Sequence, residues 1–249
     1  MDIVYTIWLR NLKRFLRSKS RIIGSIAMPL FFLVFLGFGL NNVVQLPGLG
    51  GNYISFLVPG IIAMSVLFTS VFSGIQIIWD RQFGFLKETL VAPVSRLEIM
   101  AGQTLGGATT AVIQGLIILV LSLFIGLPVA NPLGFLIAIG FMALIGIAFT
   151  SLGIAIASRM EDMTGFQLIM NFVIFPIFGL SGALFPISSL PAFAQPITYL
   201  DPLTYGVEGI RYGLSGVSQV NPLLSLVVLG AFTAVMMVLG AFLFRKMKF

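Results

Sequence analysis

The chain has 249 residues, of which 58% are hydrophobic and 9% charged, with a formal net charge of +6 and neither cysteine nor histidine. A soluble domain carries about a quarter charged residues, so lipid rather than water must be the solvent for most of this surface. The missing residue types exclude Cys/His zinc sites, cysteine nucleophiles and Ser-His-Asp triads, and no catalytic, cofactor-binding or metal-ligating set is visible in the sequence.

In residues 1–21, Val4, Trp8, Leu12, Phe15 and Leu16 form one helical stripe, joined by Ile3 and Ile7. Arg10, Arg14, Arg17 and Arg21, joined by Lys13, form another. This pattern predicts an amphipathic helix lying in the membrane interface against anionic headgroups. The competing reading is the n-region of a signal peptide. The apolar run at 22–40 is too long for a typical h-region and lacks an A-x-A cleavage site. About 20 apolar residues cross a bilayer as a helix. Six runs meet that length: 22–40, 53–78, 101–127, 133–158, 164–185 and 223–244.

Residues 79–103 separate the second and third spans and exceed what a connection needs. Phe83, Leu86 and Leu90 recur at i, i+3 and i+7, with Phe85 beside them and Lys87 and Glu88 between, before Pro93 ends the pattern. A short amphipathic helix at the membrane surface is predicted. It is either a docking element for a soluble partner or a solvated connector.

Residues 186–222 are apolar but carry Pro186, Pro191, Pro196 and Pro202, so no single helix crosses there. Asp201–Pro202 reads as an N-cap followed by proline at the first helical position. Glu208 and Arg211, three apart, can pair on that helix, and Tyr199, Tyr205 and Tyr212 suit a membrane interface. Two short re-entrant or interfacial helices are predicted, against the alternative of an ordinary outer loop. Six spans put both termini, residues 79–103 and the Arg159 turn on one side. Of the 14 Lys and Arg residues, only Arg211 falls on the other. The positive-inside bias makes the basic side cytoplasmic. The bases sit at span ends rather than on one soluble face, which argues against nucleic acid as a partner.

A P-loop needs Gly directly before Lys, and no lysine here follows a glycine. No charge falls inside the six runs, which counts against an ion-coupled transporter, since these use an ionisable group at depth. Gln76, Thr104, Gln114, Gln167 and Asn171 are polar groups at depth, serving as helix–helix contacts or touching cargo. Phe31, Phe35 and Phe38 on the first span, and Phe172, Phe175 and Phe178 on the fifth, read as lipid or neighbour packing, or as an aromatic lining. Gly102 and Gly106 form a small-xxx-small pair.

Two stretches carry a family likeness: DRQFGFLKETLVAPVSRLEIMAGQ at 80–103, and LSGALFPISSLPAFAQPITYLDPLTYGVEGIRYGLSG at 180–216. The second holds Phe-Pro, Leu-Pro, Pro-Leu-Thr-Tyr and Glu-x-x-Arg elements. Together with the layout of the whole chain, they resemble the type-2 ABC exporter permeases, in particular the drug-resistance and nodulation-factor export branch. The resemblance implies an all-α polytopic membrane protein with a single permease domain over 1–249. Its parts would be an interfacial elbow helix at 1–21, six transmembrane helices, a cytosolic coupling loop at 79–103 and an outer re-entrant segment at 186–222. It implies a non-catalytic half-transporter in the cell membrane, paired with a second permease copy or close homologue. Each copy would dock a separate ATPase subunit, which would hold the ATP and magnesium. Phe83, Phe85, Leu86, Glu88 and Leu90 would then contact the ATPase, and Glu208 and Arg211 would stand at the outer gate. The first, second and fifth spans would line the path, with Phe35, Gln76, Asn171 and Phe175 as lining candidates. The implied cargo is amphipathic: drug-like, lipidic or saccharide-linked. The alternative function is a stand-alone secondary transporter or channel. A membrane-embedded enzyme is a third class, but its candidates Asp201 and Glu208 lie on the outer side, and Glu208 has a cation beside it.

Overall fold

The computed structural model describes residues 2–41, 53–84, 95–125 and 132–247, and every regular element among them is helical. In chain order these are α1 (Asp2–Arg17), α2 (Lys19–Asn41), α3 (Tyr53–Ser73), α4 (Ile75–Gln82), α5 (Arg96–Phe124), α6 (Pro132–Ala157) and α7 (Met163–Leu180). A 3-10 turn (Ile187–Ser189), α8 (Gln195–Leu200), α9 (Pro202–Ser215) and α10 (Pro222–Arg245) follow. Among the described residues, six helices are long and apolar enough to cross a membrane: Ile22–Leu40, Tyr53–Gln82, Arg96–Phe124, Leu133–Ala157, Met163–Leu180 and Pro222–Arg245. The multi-pass helical fold expected from the sequence is therefore present.

The centre of the fold is α3. It is apolar all round, and a helix of that kind is covered on every side. Most of its residues are buried, among them Phe56, Ile61, Ile62 and Leu67. It packs against α5, α6, α2 and α9, while α6 also packs against α9 and α10. By contrast, α2, α7 and α10 are buried along narrow strips only.

Two boundaries differ from the sequence reading. The second run extends past residue 78 to Gln82, interrupted only at Gly74, whose backbone stays helical. The third helix starts at Arg96 rather than near 101. Ser95 and Glu98 form a capping box there: the Ser95 side chain accepts from the Glu98 N–H, and the Glu98 carboxylate accepts from the Ser95 N–H. Reciprocal capping satisfies two otherwise orphaned donors, so the helix begins where the cap is, not where apolarity begins.

Helix α1 lies along the first half of α5 rather than against lipid alone. Gly102 faces Val4 and Ile7, and Gly106 faces Asn11, each so closely that a Cβ would collide. The Trp8 indole N–H donates to Thr109 Oγ1 at 3.0 Å. Ile7 and Phe15 are buried in this seam, while Tyr5 and Leu16 stay exposed.

Candidate functional site

Charge is concentrated at the two ends of the α3–α4 run. At the α4 end, Asp80 is buried; it lies just past the 53–78 run, on the part of the helix that extends to Gln82. Burying a carboxylate is costly unless it is paired and hydrogen-bonded, and Asp80 is both. Arg10 Nη2 donates to Asp80 Oδ2 at 2.7 Å, Gln76 Nε2 to Oδ1 at 2.6 Å, and Gln103 Nε2 to Oδ2 at 3.2 Å. Asn11 Nδ2 donates to Gln103 Oε1 at 2.7 Å. The cluster ties α1, α4 and α5 together at the root of the connection between α4 and α5. Directly after Asp80, Arg81 bonds Glu161 at 2.9 Å and Gln82 bonds the Glu161 carbonyl at 2.9 Å, joining α4 to the turn before α7. Arg96 Nη1 donates to the carbonyls of Arg245 and Met247, joining α5 to the end of α10.

Of the proposed ATPase-contacting residues, Phe85, Leu86, Glu88 and Leu90 lie outside the described residues. Phe83 is described, and it does not continue a helix toward Leu86. It is the C-cap residue of α4, followed by Gly84 with a φ of 79°, a left-handed conformation that ends the helix. Its ring is largely exposed and packs on Trp79, with centroids 5.4 Å apart.

At the opposite end, near the start of α3, α9 carries the second cluster. Asp201 caps it by accepting from the Leu203 N–H at 2.9 Å, with Pro202 at the first position. Gly216, with a φ of 74°, closes it in the left-handed conformation that glycine adopts without strain. Glu208 and Arg211 pair on this helix, as their spacing allows, and both are buried. Glu208 Oε2 also accepts from the Gln219 N–H at 2.5 Å. Arg211 Nη2 donates to the carbonyls of Gly182 at 3.1 Å and Phe56 at 3.4 Å, and the guanidinium lies 3.9 Å from the centre of the Phe56 ring. Burial pulls the Arg211 guanidinium down from its ordinary value, and the Glu208 carboxylate opposes that. The pair therefore holds α9 against the start of α3 and the segment after α7. Close approach to α6 needs glycine: a Cβ on Gly209 would stand 2.2 Å from the Phe141 ring.

The path-lining candidates separate. Gln76 points into the Asp80 cluster. Phe35 and Phe175 are exposed on α2 and α7, with Phe31 stacked on Phe35 at 4.3 Å and Phe68 edge-on to Phe175 at 5.8 Å. Asn171 is half-buried on α7. Phe178 turns inward while Phe172 and Phe175 stay out, because a spacing of three drifts round a helix of 3.6 residues per turn. Gln114 is buried, and neither its amide nitrogen nor its oxygen has a hydrogen-bond partner.

The model of the "ABC-2 type transporter" family matches residues 3–215. Among relatives, the inner membrane transport permease YadH of Escherichia coli K12 is 28% identical over 218 residues, covering 86% of this chain and 84% of its own. Nodulation protein J of Rhizobium leguminosarum bv. viciae is 29% identical over 243 residues, covering 96% and 93%. The putative transport permease ycf38 of Porphyra purpurea is 32% identical over 199 residues, covering 79% and 68%. With six membrane-length helices, a charged cluster at each end of the central one and a family match across most of its length, the chain belongs to the ABC-2 type transporter family as a transport permease.

Proposed function

We propose that this permease is the membrane half of an ATP-driven exporter, powered by a separate ATPase subunit that docks on the loop between α4 and α5. Two copies, or one copy and a close homologue, would enclose the path, carrying an amphipathic drug-like, lipidic or saccharide-linked cargo across the cell membrane. Both termini would face the cytoplasm. The observation that carries this reading is the Asp80 cluster. The loop begins and ends on α4 and α5, and Asp80 and Gln103 join those two helices to each other and to α1. A push on the loop from outside the membrane therefore enters three helices at once. A stand-alone ion-coupled transporter would need a carboxylate able to give up its partners, whereas Asp80 is held by three donors.

The test is reconstitution. The purified chain alone should neither bind nor hydrolyse ATP, since no lysine follows a glycine in it. Co-expressed with an ATPase encoded beside it, it should co-purify, and hydrolysis should rise when the right cargo is added to proteoliposomes. Nucleotide hydrolysis by the chain free of any partner would refute the reading.

A further inference from the structure

The polar side of α1 forms an open groove of about 990 Å³, lined by Arg10, Lys13, Arg14, Arg17 and Lys19, with no carboxylate among its lining residues. Arg14 also lines a narrow polar cleft of about 40 Å³, shared with Asn11, Ser73, Gln76, Gln103 and Thr110. Phe15 and Thr69 line this cleft and also a neighbouring space of about 250 Å³, walled by Met28 and Pro29 of α2 and Met64, Phe68 and Phe72 of α3. A basic groove, a polar neck and an apolar cavity thus follow one another beneath and beside α1. The neck sits beside the Asp80 cluster, at the root of the cytosolic loop. One face of the α3–α4 run repeats the same gradation, with Gln76 and Ser73 at the inner end, then Thr69, then Ser65 among Met64 and Phe68. Ser65 is 2% exposed and its hydroxyl has no partner, although it forms part of the cavity wall.

We propose that these adjacent spaces together bind one anionic phospholipid of the cytoplasmic leaflet, with its phosphate in the basic groove and an acyl chain in the apolar cavity, the Phe15 and Thr69 side chains between them moving aside to admit it. The charge supports this: a cluster of cations on an amphipathic helix attracts anionic headgroups, and the Arg14 guanidinium is already positioned over Trp79, 5.9 Å from the ring centre. The apolar cavity makes the ligand a lipid rather than a free phosphate, which would leave it unfilled. A helix from a second copy, roughly 10–12 Å across, is too wide for it. The Ser65 hydroxyl, one turn deeper than Thr69, is a buried donor without a partner, which a small shift of the cavity wall would bring to an acyl ester carbonyl. Anchored there, the lipid would occupy the angle between α1 and α2, next to the Asp80 cluster.

Native mass spectrometry tests this on the intact protein, extracted from nanodiscs of phosphatidylcholine carrying a minor share of phosphatidylglycerol. One phosphatidylglycerol should stay with each protomer and phosphatidylcholine should not. Arg14→Gln should lower that retention about tenfold, as expected for losing a charge-assisted hydrogen bond. Ser65→Phe fills the apolar cavity and should lower it as much while leaving every cation in place; Ser65→Ala should leave most of it. Excess inorganic phosphate or glycerol phosphate should displace nothing. Displacement by either would reduce the site to a headgroup groove and overturn the proposal. Equal retention of the two lipids, or unchanged retention in both Arg14→Gln and Ser65→Phe, would do the same. If one of these variants fails to purify as a single species, the other decides by the same measurement.

Discussion

Asp201 uses one carboxylate oxygen to cap α9 and leaves the other buried with no donor. Desolvation by burial raises its pKa to about 7, against the opposing Leu203 N–H. The folded chain then holds a proton that the unfolded chain has already lost from its ordinary value of 3.8 upward. Stability from this group therefore falls as pH rises between those two values and is level above them. Asparagine caps a helix as well as aspartate does. Asp201→Asn should flatten this part of the pH profile, read by thermal unfolding in detergent; an unaltered slope would count against the assignment. The Glu208–Arg211 pair makes a second prediction at this scale. Removing one partner of a buried pair strands a charge, at a cost of about 3–5 kcal/mol. Glu208→Ala and Arg211→Ala should each destabilise more than Glu208→Gln combined with Arg211→Met, and three equal losses would mean the pair is incidental. Gln114 offers the opposite sign: its unpaired amide is a burden, so Gln114→Leu should stabilise the fold by about 1–3 kcal/mol, read as a higher unfolding temperature. The Glu208–Arg211 pair was legible in the sequence because its members are three residues apart on one helix. The Arg10–Asp80 pair spans 70 residues and exists only once α1 is laid beside α4, so no local pattern announced it.

At the level of elements, the loop between α4 and α5 is where ATPase docking should be decided. Burying a leucine-sized apolar side chain contributes roughly 1.5–3 kcal/mol, and a charge in its place would be desolvated without a partner. Leu86→Asp should leave membrane insertion intact and abolish co-purification with the ATPase, with Glu88→Ala giving a milder, salt-sensitive loss. Full transport by Leu86→Asp at normal expression would make the loop only a connector. The helices themselves were readable from apolar length. Their ends were not, because caps set them: Ser95 with Glu98 starts α5 among charged residues, and Gly84 ends α4 amid an apparently continuing stripe. The packing of α1 was half readable. Gly102 and Gly106 signalled a close neighbour, but a small-residue pair does not name it, and the neighbour is the amphipathic helix itself.

For the molecule as a whole, the absence of cysteine makes every introduced thiol a single reporter. Ser188→Cys should react with an impermeant reagent from outside and Arg159→Cys only from the cytoplasm; labelling of Ser188→Cys from within would overturn the six-span orientation. Phe35 and Phe172 lie on exposed faces of the sparsely covered α2 and α7, where a second copy would fit. Thiols placed there should cross-link two protomers in native membranes, whereas thiols on the equally exposed α10, at Val238, should not. One further consequence comes from the α3–α4 run. Asp80 is clamped near its inner end and the Phe56 carbonyl near its outer end, a separation of about 36 Å at a rise of ~1.5 Å per residue. A stiff rod pinned at both tips has one axial position, not two. The Asp80 clamp and the Arg211 contact with Phe56 therefore act on one and the same helical run, so a change at one is expected to be felt at the other. Loosening the inner pin with Asp80→Asn should accordingly speed amide hydrogen exchange in α9, on the opposite side of the membrane.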